Sequence, residues 1–321
     1  GYSVEDDSIF PTAVVLYTLQ QVRDALSASS RDTIDAVTRK AVANYPKYLN
    51  NQGRIMYNFW QNVPEERFLP NSKLLSRFRI FHLPEDIDTT AYIYLTHSHA
   101  PEDIAWLKER LVLDTNGHRR HIRNTRPRYR RLRAYSTWLG DATMPIDFDV
   151  CALCNLMLFI FRHDLPLNEH DYDTLRYIAS VITSDDHFDH PFDVAPWYGT
   201  TTLILYHVVR LMTTFDVPEL AMLKDKLVHD LHRQHERTAL FMERLTLSTS
   251  LMRLGEPALV THYPDPLEPA FRRYYFFTGS LLTPIDHPLT WALAKRPFLQ
   301  VRYRCRAHAL ALLLEHEVWK G

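Results

Sequence analysis

An all-α fold closed into an (α/α)6 barrel is what this sequence predicts, on three observations. The long apolar segments repeat at helical rather than alternating spacing. They alternate along the chain with charged, amphipathic segments. Most of them open on small, hydroxyl or acidic residues, in one local phrase that recurs. Apolar helices alternating with polar ones imply an inner ring covered by an outer ring, a closed relative of stacked helical pairs.

The first apolar helix is expected over 8–22, where Ser8-Ile9-Phe10-Pro11 places a proline near the start. An amphipathic helix over 31–45 follows it. The second apolar helix, over 88–98, opens on Asp86-Ile87-Asp88-Thr89-Thr90-Ala91 and is followed by a charged helix over 102–113. The third, over 148–162, opens on Asp147-Phe148-Asp149 and precedes an amphipathic stretch over 170–183. The fourth covers 200–213, after Gly199-Thr200-Thr201. Its amphipathic follower over 217–232 starts at Val217-Pro218-Glu219 and repeats Leu at helical spacing. The fifth covers 236–253 after Glu236-Arg237-Thr238, and the sixth 302–318. All 321 residues are taken as a single barrel domain.

Composition narrows the function classes. An apolar fraction of 46% supports a sizeable core and argues against global disorder. The net charge of −1 argues neither for nor against nucleic acid. Eight glycines, with no Gly-rich phosphate loop, disfavour a nucleotide-binding design. Three cysteines (Cys151, Cys154 and Cys305) cannot pair fully and fit a reducing compartment. No apolar run approaches the roughly 20 residues that span a bilayer. The opening Gly1-Tyr2-Ser3-Val4-Glu5-Asp6-Asp7 does not have the form of a secretory signal. A cytoplasmic protein is the expectation.

In an inner ring the helix starts open at one end, so the acidic phrases should converge there, each beside a positive dipole end. Asp86 and Asp88, with Glu85 beside them, exceed what one helix cap needs. A crowded, partly desolvated carboxylate pair holds a proton. Asp147 and Asp149 form the second candidate pair, and Asn155 lies two turns below them. Trp138, Trp197, Tyr198, Tyr274, Tyr275, Phe276 and Phe277 are placed at the mouth, where ring faces would stabilise a cation; the plainer reading is core filling. His118–Arg133 carries eight arginines, among them Arg131 and Arg133, suited to a diphosphate, to an acidic partner or, as the weaker reading, to nucleic acid, if not simply solvated. Two metal readings are weaker. Asp149, Cys151 and His207 or His308 form a zinc-type set, and Asp185-Asp186-His187-Phe188-Asp189 has the DDxxD form but runs straight into His190-Pro191.

Pro84-Glu85-Asp86-Ile87-Asp88-Thr89-Thr90-Ala91 resembles the Asp-x-Asp-Asp acid motif of class II terpene cyclases and the squalene cyclase-like β-domain. The resemblance implies an (α/α)6 barrel in which Asp88 protonates an isoprenoid alkene or epoxide and Asp86 assists. It implies carbocation chemistry in an aromatic cavity, and Mg2+ where the substrate carries a diphosphate. Thr89 stands where the motif has its last Asp, and the Gln- and Trp-rich repeats of squalene-type cyclases are not evident. Such domains usually share their cavity with a second domain, so the resemblance also implies a homodimer or a partner domain. Two readings of other classes stand beside it. One is an (α/α)6 glycoside hydrolase or lyase using Asp88 with Asp147 or Asp149. The other is a non-catalytic helical toroid whose arginine run docks an acidic partner.

Overall fold

The computed structural model describes residues 3, 5–50, 55–62, 83–140, 144–280 and 282–321. Gly1, Tyr2 and Val4 of the amino-terminal phrase lie outside them. The described chain is mainly helical, with one two-stranded sheet. Helix α1 (Phe10–Val22) is followed by the polar α2 (Ala28–Val42). Helix α3 (Ile87–Thr96) is followed by α4 (Pro101–Leu111), and α5 (Val150–Arg162) by α6 (Glu169–Thr183). Two single turns, α7 (Asp186–Asp189) and α8 (Pro191–Val194), lead into α9 (Thr201–Thr214). Then come the short α10 (Pro218–Ala221), α11 (Lys224–Arg237), α12 (Phe241–Arg253) and α13 (Glu268–Arg273). Strand β1 (Phe277–Ser280), α14 (Pro288–Ala294), β2 (Gln300–Tyr303) and α15 (Arg306–Lys320) complete the chain.

The apolar helices pack in an ordered succession. Helix α1 packs on α3, α3 on α5, α5 on α9, α9 on α12, α12 on α15, and α15 back on α1. The amphipathic helices lie on these: α2 on α1, α6 on α5, α11 on α9 and α12, and α13 on α12 and α15. The pattern follows from composition. In α5 every residue from Val150 to Ile160 is buried, whereas α2 buries only Ile34 and leaves its charged face to water. No helix among the described residues is long and apolar enough to cross a membrane.

Boundaries differ from the sequence expectation by a few residues at several helices, and the expected 217–232 helix is broken into α10 and α11. Three further differences have a clear local reason. Helix α11 runs on to Arg237, and α12 starts only at Phe241. Thr238 turns extended between them, its hydroxyl accepting from the Leu240 amide at 3.2 Å while it donates to Glu243. Helix α15 starts at Arg306 because Val301 and Tyr303 belong to β2. That strand pairs antiparallel with β1, Phe277 opposite Tyr303 and Ser280 opposite Gln300. Their β-branched and aromatic side chains suit a strand.

The backbone also ties the acidic phrases together. The Ile87 amide donates to the Thr137 carbonyl (2.9 Å), the Leu139 amide to the Glu85 carbonyl (2.9 Å) and the Thr137 amide to the Asp147 carbonyl (3.2 Å). The Thr278 amide donates to the Trp197 carbonyl at 2.8 Å, which seats β1 beside the start of α9. Gly199 makes the turn into α9 at φ +66°, a conformation that a side chain would strain.

Asp149 is the most heavily used cap. Its Oδ1 accepts from the amides of Cys151 (2.9 Å) and Ala152 (3.1 Å), and its Oδ2 from the Trp197 amide (2.8 Å). One side chain therefore fixes the start of α5 against the approach to α9. Asp149→Ala should lower unfolding stability by about 2–4 kcal/mol, from the lost cap and the buried amides left unpaired. Urea unfolding monitored by circular dichroism reads this; a loss no larger than that of an exposed-residue control would contradict the role.

Candidate active site

The four predicted aspartates are buried together at helix starts, and their jobs differ. Asp86 is the N-cap of α3, its Oδ1 accepting from the Thr89 amide at 2.6 Å. Its Oδ2 is buried and makes no hydrogen bond among the described residues. Asp88 lies in the first turn of the same helix. Its Oδ2 accepts from the Tyr198 hydroxyl (2.6 Å) and its Oδ1 from the Asn155 amide (2.7 Å). Asp147 accepts on Oδ2 from the indoles of Trp197 (2.8 Å) and Trp138 (3.1 Å), while its Oδ1 has no donor among the described residues. Asp149 is committed to backbone capping, as above.

Asp86 and Asp88 face a small pocket with aromatic walls. Phe10 comes from α1, Phe59 and Trp60 from the segment before α3, and Phe277 and Tyr303 from the two strands. Trp138 and Trp197 meet edge to face at 4.8 Å between ring centroids, and Phe59 stacks on Phe277 at 5.3 Å. The polar groups of the lining are Asp86, Asp88, Thr89 and Thr137, beside the Tyr303 phenol and the indoles. The free space is about 20 Å3, room for roughly one water molecule.

Burial governs the protons. It pushes Asp86 up to about 8, aided by the neighbouring charge of Asp88 and opposed by the Thr89 amide. Asp88 rises only to about 6: burial raises it, while hydrogen bonds from Tyr198 and Asn155 and the charge of Arg210 hold it down. Asp147 also rises to about 6, burial being offset partly by the Thr137 hydroxyl and the two indoles. Burial raises Asp149 well above the carboxylate range against its backbone donors.

Behind Asp88 lies a polar network that sequence reasoning missed. Arg210 of α9 is fully buried, with its guanidinium 5.3 Å from the Tyr17 ring centroid, 5.5 Å from Tyr92 and 4.9 Å from Tyr206. It donates to the Tyr92 hydroxyl and to Asn155 Oδ1 (2.7 Å), and Asn155 donates in turn to Asp88. On the far side, the Tyr206 hydroxyl donates to Glu315 (2.9 Å), which pairs with Arg253 at 2.7 Å. An arginine within an apolar helix was the available signal, since a buried cation must be compensated.

The structure separates the other candidates from this site. Trp138, Trp197, Tyr198 and Asn155 assemble on it, but Tyr274 and Tyr275 do not line the pocket. Tyr274 is buried beside His308, and Tyr275 lies under Arg302, 4.7 Å from its ring centroid. Arg131 is exposed, and Arg133 is held at 2.6 Å by Glu169 of α6. Arg123 faces Asp286, while Arg126 and Arg128 face Asp186. Arg123, Arg126, Arg128 and Arg133 are thus placed by acids of this chain.

The zinc-type set does not assemble. Asp149 uses its oxygens on amides, and His207 Nδ1 contacts the Leu203 carbonyl at 2.7 Å. Among the described residues the ligand-type cluster is Asp185, His187 and Asp230, within 4.8 Å of one another. Lys226 supplies its positive charge, at 2.6 Å from Asp185 and 3.0 Å from Asp230. The DDxxD phrase lies in the turn between α6 and α8, with Asp185 left-handed at φ +59°, rather than along a cavity-lining helix.

Comparison with protein-family models, with curated proteins and with solved structures gives no match. The functional reading therefore rests on the geometry.

The buried acids make a pH signature. Asp86, Asp88 and Asp147 have folded pKa values above the usual carboxylate value. Between about pH 4 and each folded value, the native state binds protons that the unfolded chain has released. Their stabilising contribution is complete below about pH 4 and is lost as pH rises through 6 and then 8. Half-buried His99 and buried His207, His308 and His316, held low by burial, act in the opposite direction below about pH 6.5. The urea midpoint should therefore fall from pH 7 to pH 8.5, and Asp86→Asn should shrink that fall. A slope unchanged in Asp86→Asn would contradict the assignment.

Proposed function

We propose that this chain is a terpene cyclase-like enzyme that protonates a neutral isoprenoid alkene or epoxide and cyclises it through carbocations. The observation that carries the reading is the pocket: carboxyl groups with raised proton affinity face a small space walled by aromatic rings. We infer an (α/α)6 barrel as the scaffold, supported by the succession of apolar helices that returns from α15 to α1.

The chemistry follows from the parts. A carboxylic acid of the Asp86–Asp88 pair gives its proton to one alkene carbon. The π pair forms the new C–H bond, the O–H bond breaks, and the positive charge is left on the neighbouring carbon. Ring faces stabilise that charge without offering a strong nucleophile. A second double bond then closes a ring, and loss of a proton ends the cascade. Asp147 holds both indoles in the wall, and Asp149 holds the backbone of Trp197.

The wall disfavours the carbohydrate reading, because a sugar needs convergent hydrogen-bonding groups and this lining is mainly hydrocarbon. No arginine or lysine lines the pocket among the described residues, so a substrate without a diphosphate fits better, and Mg2+ belongs only to a diphosphate variant. A space of about 20 Å3 does not hold an isoprenoid as it stands. The reading therefore requires Phe277 and Tyr303 to swing outward, or a homodimer or partner domain to complete the cavity.

Purified protein incubated with isoprenoids of ten to thirty carbons, with and without Mg2+, should yield a cyclised product by mass spectrometry. The double variant Asp86→Asn with Asp88→Asn, with the fold intact, should lower turnover about 100-fold or more. Turnover equal to wild type in that variant would overturn the proposal.

A further inference from the structure

We propose that Asp86 is the proton donor of this site and Asp88 its fixed anion, an assignment that rests on the reading above and divides the labour within the pair. The argument is one of unfilled hydrogen-bonding capacity. Both oxygens of Asp88 accept from donors, Tyr198 at 2.6 Å and Asn155 at 2.7 Å. Two donors favour the ionised form. Asn155 is itself oriented by Arg210, whose guanidinium takes the amide oxygen at 2.7 Å and so turns the NH2 group toward Asp88. Asp86 is the opposite case. Its Oδ1 is used by the Thr89 amide, and its Oδ2 is buried and makes no hydrogen bond among the described residues, in a residue of the pocket wall. The Thr89 hydroxyl and Asp88 amide beside the carboxyl only partly offset its burial.

A carboxylate oxygen left bare in such a place costs several times what a protonated one does. A proton on Oδ2 removes the charge and leaves an O–H beside the pocket. Burial and the charge of Asp88 act in the same direction, pushing Asp86 up to about 8. The titratable groups around it are Asp88 on its own helix, Glu85 before it, and Asp147 and Asp149 across the 137–139 segment, with Arg210 one residue removed behind Asn155. All but Arg210 are acids, so the neighbourhood disfavours a second negative charge. When Oδ2–H protonates the substrate, its proton becomes part of a new C–H bond and Asp86 becomes a carboxylate. The terminal cation then loses a neighbouring proton to Asp86, directly or through the one water that the space admits. The acid is restored and the net reaction is an isomerisation.

The proton can be read without a substrate. Protein labelled with 13C at the aspartate carboxyl carbons would be titrated from pH 5 to pH 9 by NMR and by isotope-edited infrared spectroscopy. Besides Asp149, which burial also holds up, one aspartate should stay protonated at pH 7 and titrate near pH 8. Its signal should be absent from Asp86→Asn and present in Asp88→Asn, shifted to lower pH because the neighbouring charge is gone. Asparagine is itself a good N-cap, so Asp86→Asn should fold. If it does not, the wild type and Asp88→Asn decide alone. Absence from the wild type of a protonated-aspartate signal at pH 7 that Asp86→Asn removes, or loss of that signal in Asp88→Asn, would overturn the assignment. An Asp86 proton seen together with no product from any isoprenoid would leave the donor assigned and remove the substrate class instead.

Discussion

The buried guanidinium of Arg210 is the constraint on which the rest of the structure depends. A cation in a fully desolvated interior must be compensated, yet no carboxylate forms a salt bridge with it among the described residues. Its charge is met at one remove. Asn155 relays it to Asp88, and Tyr206 relays it to Glu315, which also holds Arg253. Tyr17 and Tyr92 cover its faces. These partners come from α1, α3, α5, α9, α12 and α15, so one polar network holds all six apolar helices in a common alignment. Each member would be costly alone, and together they specify how the helices meet.

The site follows from that network. Because Arg210 and Asn155 stabilise charge on Asp88, Asp86 two residues away cannot ionise cheaply. Its place at the cap of α3 gives one oxygen to the helix and leaves the other buried without a hydrogen bond, in a residue that lines the aromatic pocket. The α3 cap is therefore also the acid. The other acidic phrase serves the wall, with Asp147 and Asp149 holding Trp138 and Trp197. The same chemical phrase at two helix starts has two uses because the donors around each are different.

Much of this was legible in the sequence. The six apolar helices stand out because continuous burial, as in α5, writes continuous hydrophobicity. The acidic phrases announced their helix starts because capping needs a short acceptor at that position. The position of the break between α11 and α12 was hidden because Thr238 is compatible with a helix and leaves it through hydroxyl contacts to Leu240 and Glu243. Phe59, Trp60 and Tyr303 could not be assigned to the pocket, since they arrive from distant segments by packing rather than by any local pattern. Arg131 and Arg133 misled for the reverse reason: a run of like charge looks like a ligand site until its acids, such as Glu169, are located in space.

Neutron diffraction from a deuterium-exchanged crystal at neutral pH tests the central claim most directly. The account requires a deuteron on Oδ2 of Asp86 and none on either oxygen of Asp88, with the deuterons of Tyr198 and Asn155 pointing at Asp88. A deuteron on Asp88 with a bare Asp86 would contradict it.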